Sequence, residues 1–392
     1  MTDATPAFAK RVKRQVSGKF RQSFIVTAPG LEKLTAAKLS TLPISDPLLT
    51  IQYGGISFNT KLKDVMLANL HLRTANRILL RLVKFNVDNF YTLEKKLADF
   101  PWELFLYQNQ DVSINVTCRQ SRLYHSKAVS QRVYQSIIER QKFMVPGSNN
   151  LSHQTLFVRI NNNRLILSLD SSGEPLYKRG LKGHGGTAPL RETLAVAILQ
   201  IAGYDPKKPL VDPMCGVGSF SLEAAMIAKK MAAGLHRKFA FESWPAFQSK
   251  QWEYLKQNAQ KSVIQLPQPT IFASDHDQRA TNALSDSIKK HHLTDVINVT
   301  TKDFFELTPE DCTSRKGLVV LNPPYGIRLG INHSPDRFFP KIIHKLKSDY
   351  KGWRIALLAP QNTSKKMRPF FLKSFDFFHG GLTIRLLYGK IR

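Results

Sequence analysis

The segment Leu318-Val319-Val320-Leu321-Asn322-Pro323-Pro324-Tyr325-Gly326 carries the most specific chemistry in the chain. Its uninterrupted apolar run reads as a strand buried on both faces. The two prolines after Asn322 remove two backbone donors and stiffen the chain, so the Asn322 side-chain carbonyl and the backbone carbonyls of Asn322 and Pro323 can face outward as fixed acceptors. Such acceptors suit an exocyclic amine of guanine or adenine. The amine's lone pair is delocalised into the ring, and holding its two hydrogens favours a tetrahedral nitrogen whose lone pair points at an electrophilic methyl group. Tyr325 supplies a flat ring on which a base taken out of its helix can stack.

A second loop fits this chemistry. Asp212-Pro213-Met214-Cys215-Gly216-Val217-Gly218-Ser219-Phe220 follows the apolar pair Leu210-Val211 and opens a helix rich in Ala and Leu. Glycines beyond the end of a strand let a ligand approach the backbone closely. No Gly-Lys-Ser/Thr follows, which excludes a phosphate loop, and Ser221 stands where the dinucleotide fingerprint has its third glycine. Asp275, in Ala273-Ser274-Asp275-His276-Asp277, lies far beyond the spacing of about 20 residues usual for a nicotinamide ribose. At the end of a second strand it can still chelate the two ribose hydroxyls of adenosine, a long insertion accounting for the distance. Asp303, after a third strand, has two roles open to it: acceptor for the adenine amino group, or helix N-cap ahead of Phe304 and Phe305.

Strands and helices must hold these loops. In the second half, apolar runs at Leu210-Val211, Thr270–Ala273, Val296–Val299, Leu318–Leu321 and Ile355–Leu358 alternate with helical patterns, which predicts a parallel sheet covered by helices. Phe375–Phe378, Gly380-Gly381 and Leu382–Leu387 read as a hairpin closing that sheet with an antiparallel strand. In the first half, strands are expected near 23–27, 53–58, 78–85, 112–118, 155–160 and 164–169, with helices near 31–39 and 93–97, a basic helix-like stretch from 62 to 82 leading into the strand at 78, and a helix opened by the segment 119–127 and running to about 140. Residues 1–19 read as a flexible basic lead-in, with order beginning near Phe20. Gly173 to Gly186 is glycine-rich and basic and marks the boundary between the halves.

The 57 Lys and Arg against 29 Asp and Glu give a net charge of +28, enough to draw in a polyanion over about one Debye length. Residues 1–190 hold 27 basic and 12 acidic side chains and residues 191–392 hold 30 and 17, so no single tail explains the excess and a broad nucleic-acid surface is expected. The strand-to-helix junction Arg119-Gln120-Ser121-Arg122-Leu123-Tyr124-His125-Ser126-Lys127 mixes basic residues with an aromatic, which suits RNA contact and equally a solvated helix start. Cys118, Cys215 and Cys312 are odd in number and widely spaced, which argues against a disulfide framework and against a zinc site, and no metal is expected. No apolar run has the length of a membrane-spanning helix and the N-terminus lacks the apolar core of a secretory signal, so a cytoplasmic protein is expected.

Taken together, Asp212-Pro-x-Cys-Gly-x-Gly-Ser, Asp275-x-Asp and Asn322-Pro-Pro-Tyr-Gly resemble the class I, seven-strand amino-methyltransferases. Tyr177-Lys178-Arg179-Gly180, the run Ala188-Pro189-Leu190-Arg191-Glu192-Thr193-Leu194-Ala195, and His236-Arg237-Lys238-Phe239 with Trp244 resemble more narrowly the THUMP-containing group that includes the bacterial 23S ribosomal RNA guanine 2-amino methyltransferases. The chain departs from this group at Val217, where Ser is common, and at Ile327, where many relatives have Glu; the second methyltransferase module fused in some relatives is not expected here. The resemblance implies an α/β fold: a seven-stranded Rossmann-like domain over 173–392, preceded by a ferredoxin-like α+β subdomain over 20–65 and a THUMP-like RNA-binding domain over 66–172. It implies S-adenosylmethionine as cofactor, held by Asp212, Cys215, Gly216, Gly218, Ser219, Asp275, Asp303 and Asn322, with Arg191 and Thr193 beside its methionine end. Catalysis then falls to Asn322, Pro323, Pro324 and Tyr325, and RNA contact to Arg119, Arg122, Lys127, Lys178 and Arg179. The partner implied is RNA, foremost 23S ribosomal RNA or a ribosomal precursor particle, with no obligate protein partner and no membrane. Adenine methylation on RNA or DNA, and a non-catalytic assembly factor, are the alternatives.

Overall fold

The computed structural model describes residues 5–148, 150–182, 190–324, 335–360, 373–379 and 382–392. Two compact units divide the chain: one of Met1–Thr27, Glu32–Leu176 and Arg237–Asn258, the other of Ala28–Leu31, Tyr177–His236 and Ala259–Arg392.

The first unit begins with a helix rather than a flexible lead-in. Pro6–Val12 forms α1, continued by a wider turn over Lys13–Ser17. Thr5 caps it by accepting from Phe8 N at 3.3 Å, and Pro6 sits where a missing N–H costs nothing. The basic residues conceal the reason for this order: Val12 and Val16 are buried, and Arg11 pairs with the buried Glu103 at 2.9 Å. There follow β1 (Arg21–Thr27), α2 (Glu32–Leu39), β2 (Leu49–Gln52), β3 (Gly55–Thr60), α3 (Leu62–His71), β4 (Ala75–Asn86), α4 (Phe90–Ala98), β5 (Val112–Arg119), α5 (Ser126–Arg140), β6 (Gln154–Asn161) and β7 (Arg164–Asp170). The helical pattern expected after Leu62 stops at His71. The seven strands, in the order β2-β3-β1-β4-β7-β6-β5, form one sheet. The twelve-residue β4 pairs with β1 along one edge and β7 along the other, so the residues before and after position 65 share that sheet.

The second unit carries α6 (Glu192–Ile201), β8 (Leu210–Asp212), α7 (Ser219–Ala228), the end of α8 (Ser249–Lys261), β9 (Ile271–Asp275), α9 (Gln278–Lys290), β10 (Ile297–Thr301), β11 (Leu318–Leu321), α10 (Pro335–Asp349), β12 (Arg354–Pro360), β13 (Lys373–His379) and β14 (Leu382–Lys390). The sheet order is β10-β9-β8-β11-β12-β14-β13. Strands β8 to β12 are parallel, and β14 returns antiparallel against β12. All four residues of β11 are buried, as its apolar run requires of a strand covered on both faces. The chain moves outward from β8 through β9 to β10 and then resumes at β11 on the other side of β8, which makes the gap between β8 and β11 a topological switch point. No helix among the described residues is long and apolar enough to cross a membrane.

Between α7 and β9 the chain leaves this unit: Arg237–Asn258 belongs to the first. Trp244 is 1% exposed and donates through Nε1 to Gln154 Oε1 at 2.8 Å, while Gln154 Nε2 donates to Ala240 O at 3.1 Å. Phe239 and Phe241 stack on each other and both meet Trp252 edge-on. The insertion thus completes the core of the first unit, so Trp244→Ala should cost about 3–5 kcal/mol, seen as a lowered urea midpoint for the transition of that unit.

Candidate active site

Four loops leave the same edge of the parallel sheet. Register pairs Asp212 with Ala273, Thr301 with Asp275, and Val319 with Val211, so Asp212, Asp275, Asp303 and Asn322 all stand at or just beyond the C-terminal ends of four neighbouring strands. At about 4.8 Å between strands the row spans about 15 Å, in the place where open α/β sheets bind their ligands.

The glycine loop is held from the neighbouring strand. Cys215 N donates to Ser274 O at 2.9 Å, and Gly216 N donates to Asp275 Oδ2 at 2.8 Å. Gly216 and Gly218 have φ of +51° and +82°, a region where a side chain is strained. They differ in what surrounds them. A Cβ on Gly218 would lie 2.3 Å from Leu284 Cδ1, whereas one on Gly216 would meet nothing within 4 Å. Gly218 is needed for packing against α9; Gly216 leaves open space on the face of the loop.

Asp212 is buried and accepts from Ser221 Oγ at 2.6 Å through Oδ2, while its buried Oδ1 has no hydrogen-bond partner among the described residues. Burial, and to a lesser degree the nearby Asp275 carboxylate, push its pKa up to about 7. An orphaned buried acceptor beside an open glycine fits a ligand that brings a cation or a donor, and S-adenosylmethionine brings both an ammonium and a sulfonium. Cys215 is no nucleophile: burial first, then the two carboxylates, raise its thiol well above the ordinary range. Its Sγ donates to Gly216 O at 3.4 Å. Cys118 and Cys312 are half-buried free thiols.

The other expected residues have varied surroundings. Asp275 Oδ1 accepts from Asp277 N at 3.0 Å, so both carboxylate oxygens shape the loops at the strand ends. Asp303 Oδ1 accepts from Phe305 N at 2.7 Å, and a turn over Phe304–Glu306, not a helix, follows it, so it is not the helix N-cap that was one of its two readings. Asn322 is half-buried, Pro323 buried and Pro324 exposed. Tyr325, like Gly326 and Ile327, lies outside the described residues, as do Ala188 and Pro189. Arg191 precedes α6 with its guanidinium 5.1 Å from the Tyr177 ring centroid, and Thr193 is buried in the first turn of that helix.

In the first unit, Arg119, Arg122 and Lys127 are exposed at the β5–α5 junction. Tyr124 is 68% exposed, its ring centroid 4.0 Å from that of His125. Lys178 is exposed as well. Arg179 is a correction: it is buried, and its Nε donates to the equally buried Glu223 Oε1 at 2.9 Å, so its guanidinium cannot reach RNA. Also absent from the sequence reading was a cluster of Lys182, Glu192 and Ser219 beside the glycine loop; residues so far apart in the chain carry no spacing signal.

Residues 179–373 match the family described as RMKL-like, methyltransferase domain, and residues 22–79 match the RlmL ferredoxin-like domain. Slr0064 of Synechocystis, provisionally named an RNA methyltransferase, is 29% identical over 377 residues, 95% of this chain and 97% of that protein. The ribosomal RNA large subunit methyltransferase K/L of Cellvibrio japonicus is 30% identical over 385 residues, 94% of this chain but 51% of that protein. The chain therefore spans about half the length of that K/L relative. The crystal structure of SMU.472, provisionally a methyltransferase and complexed with SAH, superposes with a TM-score of 0.82 at 23% identity over 95% of this chain and 99% of that one. A predicted N6-adenine-specific DNA methylase from Listeria monocytogenes gives 0.82 at 24% over 98% of each. At these identities the structures establish the fold.

Two outcomes follow from the geometry. Gly216→Ala should fold with a penalty of only about 1–2 kcal/mol yet weaken S-adenosylhomocysteine binding, while Gly218→Ala should chiefly lower the melting temperature; calorimetry and thermal melts separate them. Because the folded Asp212 holds its proton more tightly than the unfolded chain does, its contribution to stability is present below the ordinary carboxylate range and is lost as pH rises towards about 7. Asp212→Asn should flatten that part of the urea-stability profile against pH.

Proposed function

This chain is an S-adenosylmethionine-dependent methyltransferase related to the RlmK/L, THUMP-associated family, and on that premise we propose that it methylates the exocyclic 2-amino group of a guanine in structured RNA, with 23S ribosomal RNA as the substrate. The observation that carries this reading is the placement of Asn322. It directly follows the fully buried β11, next to β8 and the loop from Asp212 to Ser219. The bound cofactor supplies an electrophilic methyl group. The residues of the chain do the rest: the orphaned Asp212 Oδ1 and the open face of Gly216 receive the donor, with Asp275 and Asp303 along its adenosine portion. Asn322 and the rigid Pro323-Pro324 hold the amine hydrogens and orient its lone pair, and Tyr325 stacks on the base. No strongly basic group is needed, because the amine nitrogen becomes acidic as it acquires the methyl group.

The net charge of +28 and the exposed Arg119, Arg122, Lys127 and Lys178 support RNA as the polyanion, as do the names of the K/L relatives. We assign recognition to the THUMP-like stretch 66–172, with the ferredoxin-like stretch 20–65 beside it in the same sheet. Incubation with methyl-labelled S-adenosylmethionine and unmodified ribosomal RNA, then digestion and nucleoside mass spectrometry, should yield 2-methylguanosine. Label in 6-methyladenosine would transfer the same site to adenine, and no label on RNA or precursor particles, despite cofactor binding, would make this a binding protein. Asn322→Ala should lower kcat by about 10²–10³-fold, the scale of losing one preorganised polar group, with S-adenosylhomocysteine affinity nearly unchanged. Equal loss of both would remove Asn322 from catalysis.

A further inference from the structure

The stretch Tyr177–Lys182 reads as a basic turn facing solvent, yet two of its three cations are turned inward. Arg179 is paired with Glu223 of α7, both side chains almost wholly buried. Lys182 Nζ lies 2.9 Å from Glu192 Oε1 in the first turn of α6, each side chain 13% exposed. The same ammonium donates to Ser219 Oγ at 2.6 Å, and Ser219 Oγ donates to Leu190 O at 2.9 Å.

Ser219 is the first residue of α7 and directly follows Gly218, the left-handed residue at the end of the glycine loop. One ammonium therefore ties together the start of α6, the start of α7 and the last turn of the loop. A methionine of similar length would keep the packing but leave Glu192 without its counter-charge and Ser219 without its donor. We infer that Lys182 is a positioning residue for the methyl donor, acting through Ser219 and Glu192 and not by contact with the acceptor base. The inference rests on the reading of the Asp212–Ser219 loop as the donor site.

Its signature is a loss of donor affinity with little change in turnover at saturation, since loop order contributes equally to ground state and transition state. The test is calorimetric binding of S-adenosylhomocysteine to the full-length wild type, Lys182→Met, Lys182→Arg and Glu192→Gln, together with kcat and KM for S-adenosylmethionine. Lys182→Met should weaken binding about tenfold or more and raise KM in parallel, with kcat within about threefold. Lys182→Arg should recover to within about threefold of wild type, because it keeps the charge and the donors. Lys182→Met that folds and binds within about twofold of wild type would overturn the assignment, whatever its melting temperature. Should Lys182→Met not fold, Glu192→Gln with wild-type affinity would overturn it equally. Wild-type protein that does not bind S-adenosylhomocysteine would instead remove the donor-site reading itself.

Discussion

The Asp275 carboxylate accepts from the Gly216 amide across the gap between β9 and the loop that follows β8. This contact, with Cys215 N on Ser274 O, bends the loop into two left-handed glycines and leaves the edge of the sheet open. Everything proposed for the site presupposes that bend. With Gly216 pinned by Asp275 and Gly218 wedged against Leu284, the loop keeps open space at Gly216, and Asn322 follows the strand next to that of Asp212. Carboxylates at the ends of β8 and β9 are costly to bury together. The raised pKa of Asp212 records first its own burial and then the nearby Asp275, a cost that a cationic ligand would offset.

The catalytic half was legible because its signals are local. An apolar run ending in Asp or Asn, followed by Gly or Pro and then a helical pattern, records strand, loop and helix within about twenty residues, and the parallel sheet follows from its repetition. The Asp212–Asp275 distance also made sense in advance as a long insertion. Where that insertion packs was not legible. Trp244 and Gln154 are ninety residues apart and meet through a single hydrogen bond within a shared core, a tertiary fact with no trace in periodicity. The N-terminal helix was hidden for a related reason: Val12 and Val16 are few among lysines and arginines, and only their partners in the fold make them core residues.

Charge misled in one place for a physical reason. Composition reports how many cations there are, not which way they face. Arg122 and Lys127 face solvent, whereas Arg179 and Lys182, from an equally basic stretch, are drawn into buried ion pairs by Glu223 and Glu192. A cation buried together with its carboxylate serves the scaffold; one that stays exposed, as Arg122 does beside Asp88 at 3.3 Å, remains available to phosphate. Tyr325, the aromatic of the Asn-Pro-Pro-Tyr motif, lies outside the described residues, so its stacking role rests on the sequence.

If the row of strand ends from Asp303 to Asn322 is one donor-and-acceptor site, a crystal of the protein soaked with S-adenosylhomocysteine should show the nucleoside along Asp275 and Asp303, the amino-acid end at the Asp212–Ser219 loop, and the sulfur turned towards Asn322. A product bound with its sulfur directed away from Asn322, or bound elsewhere on the sheet, would contradict it.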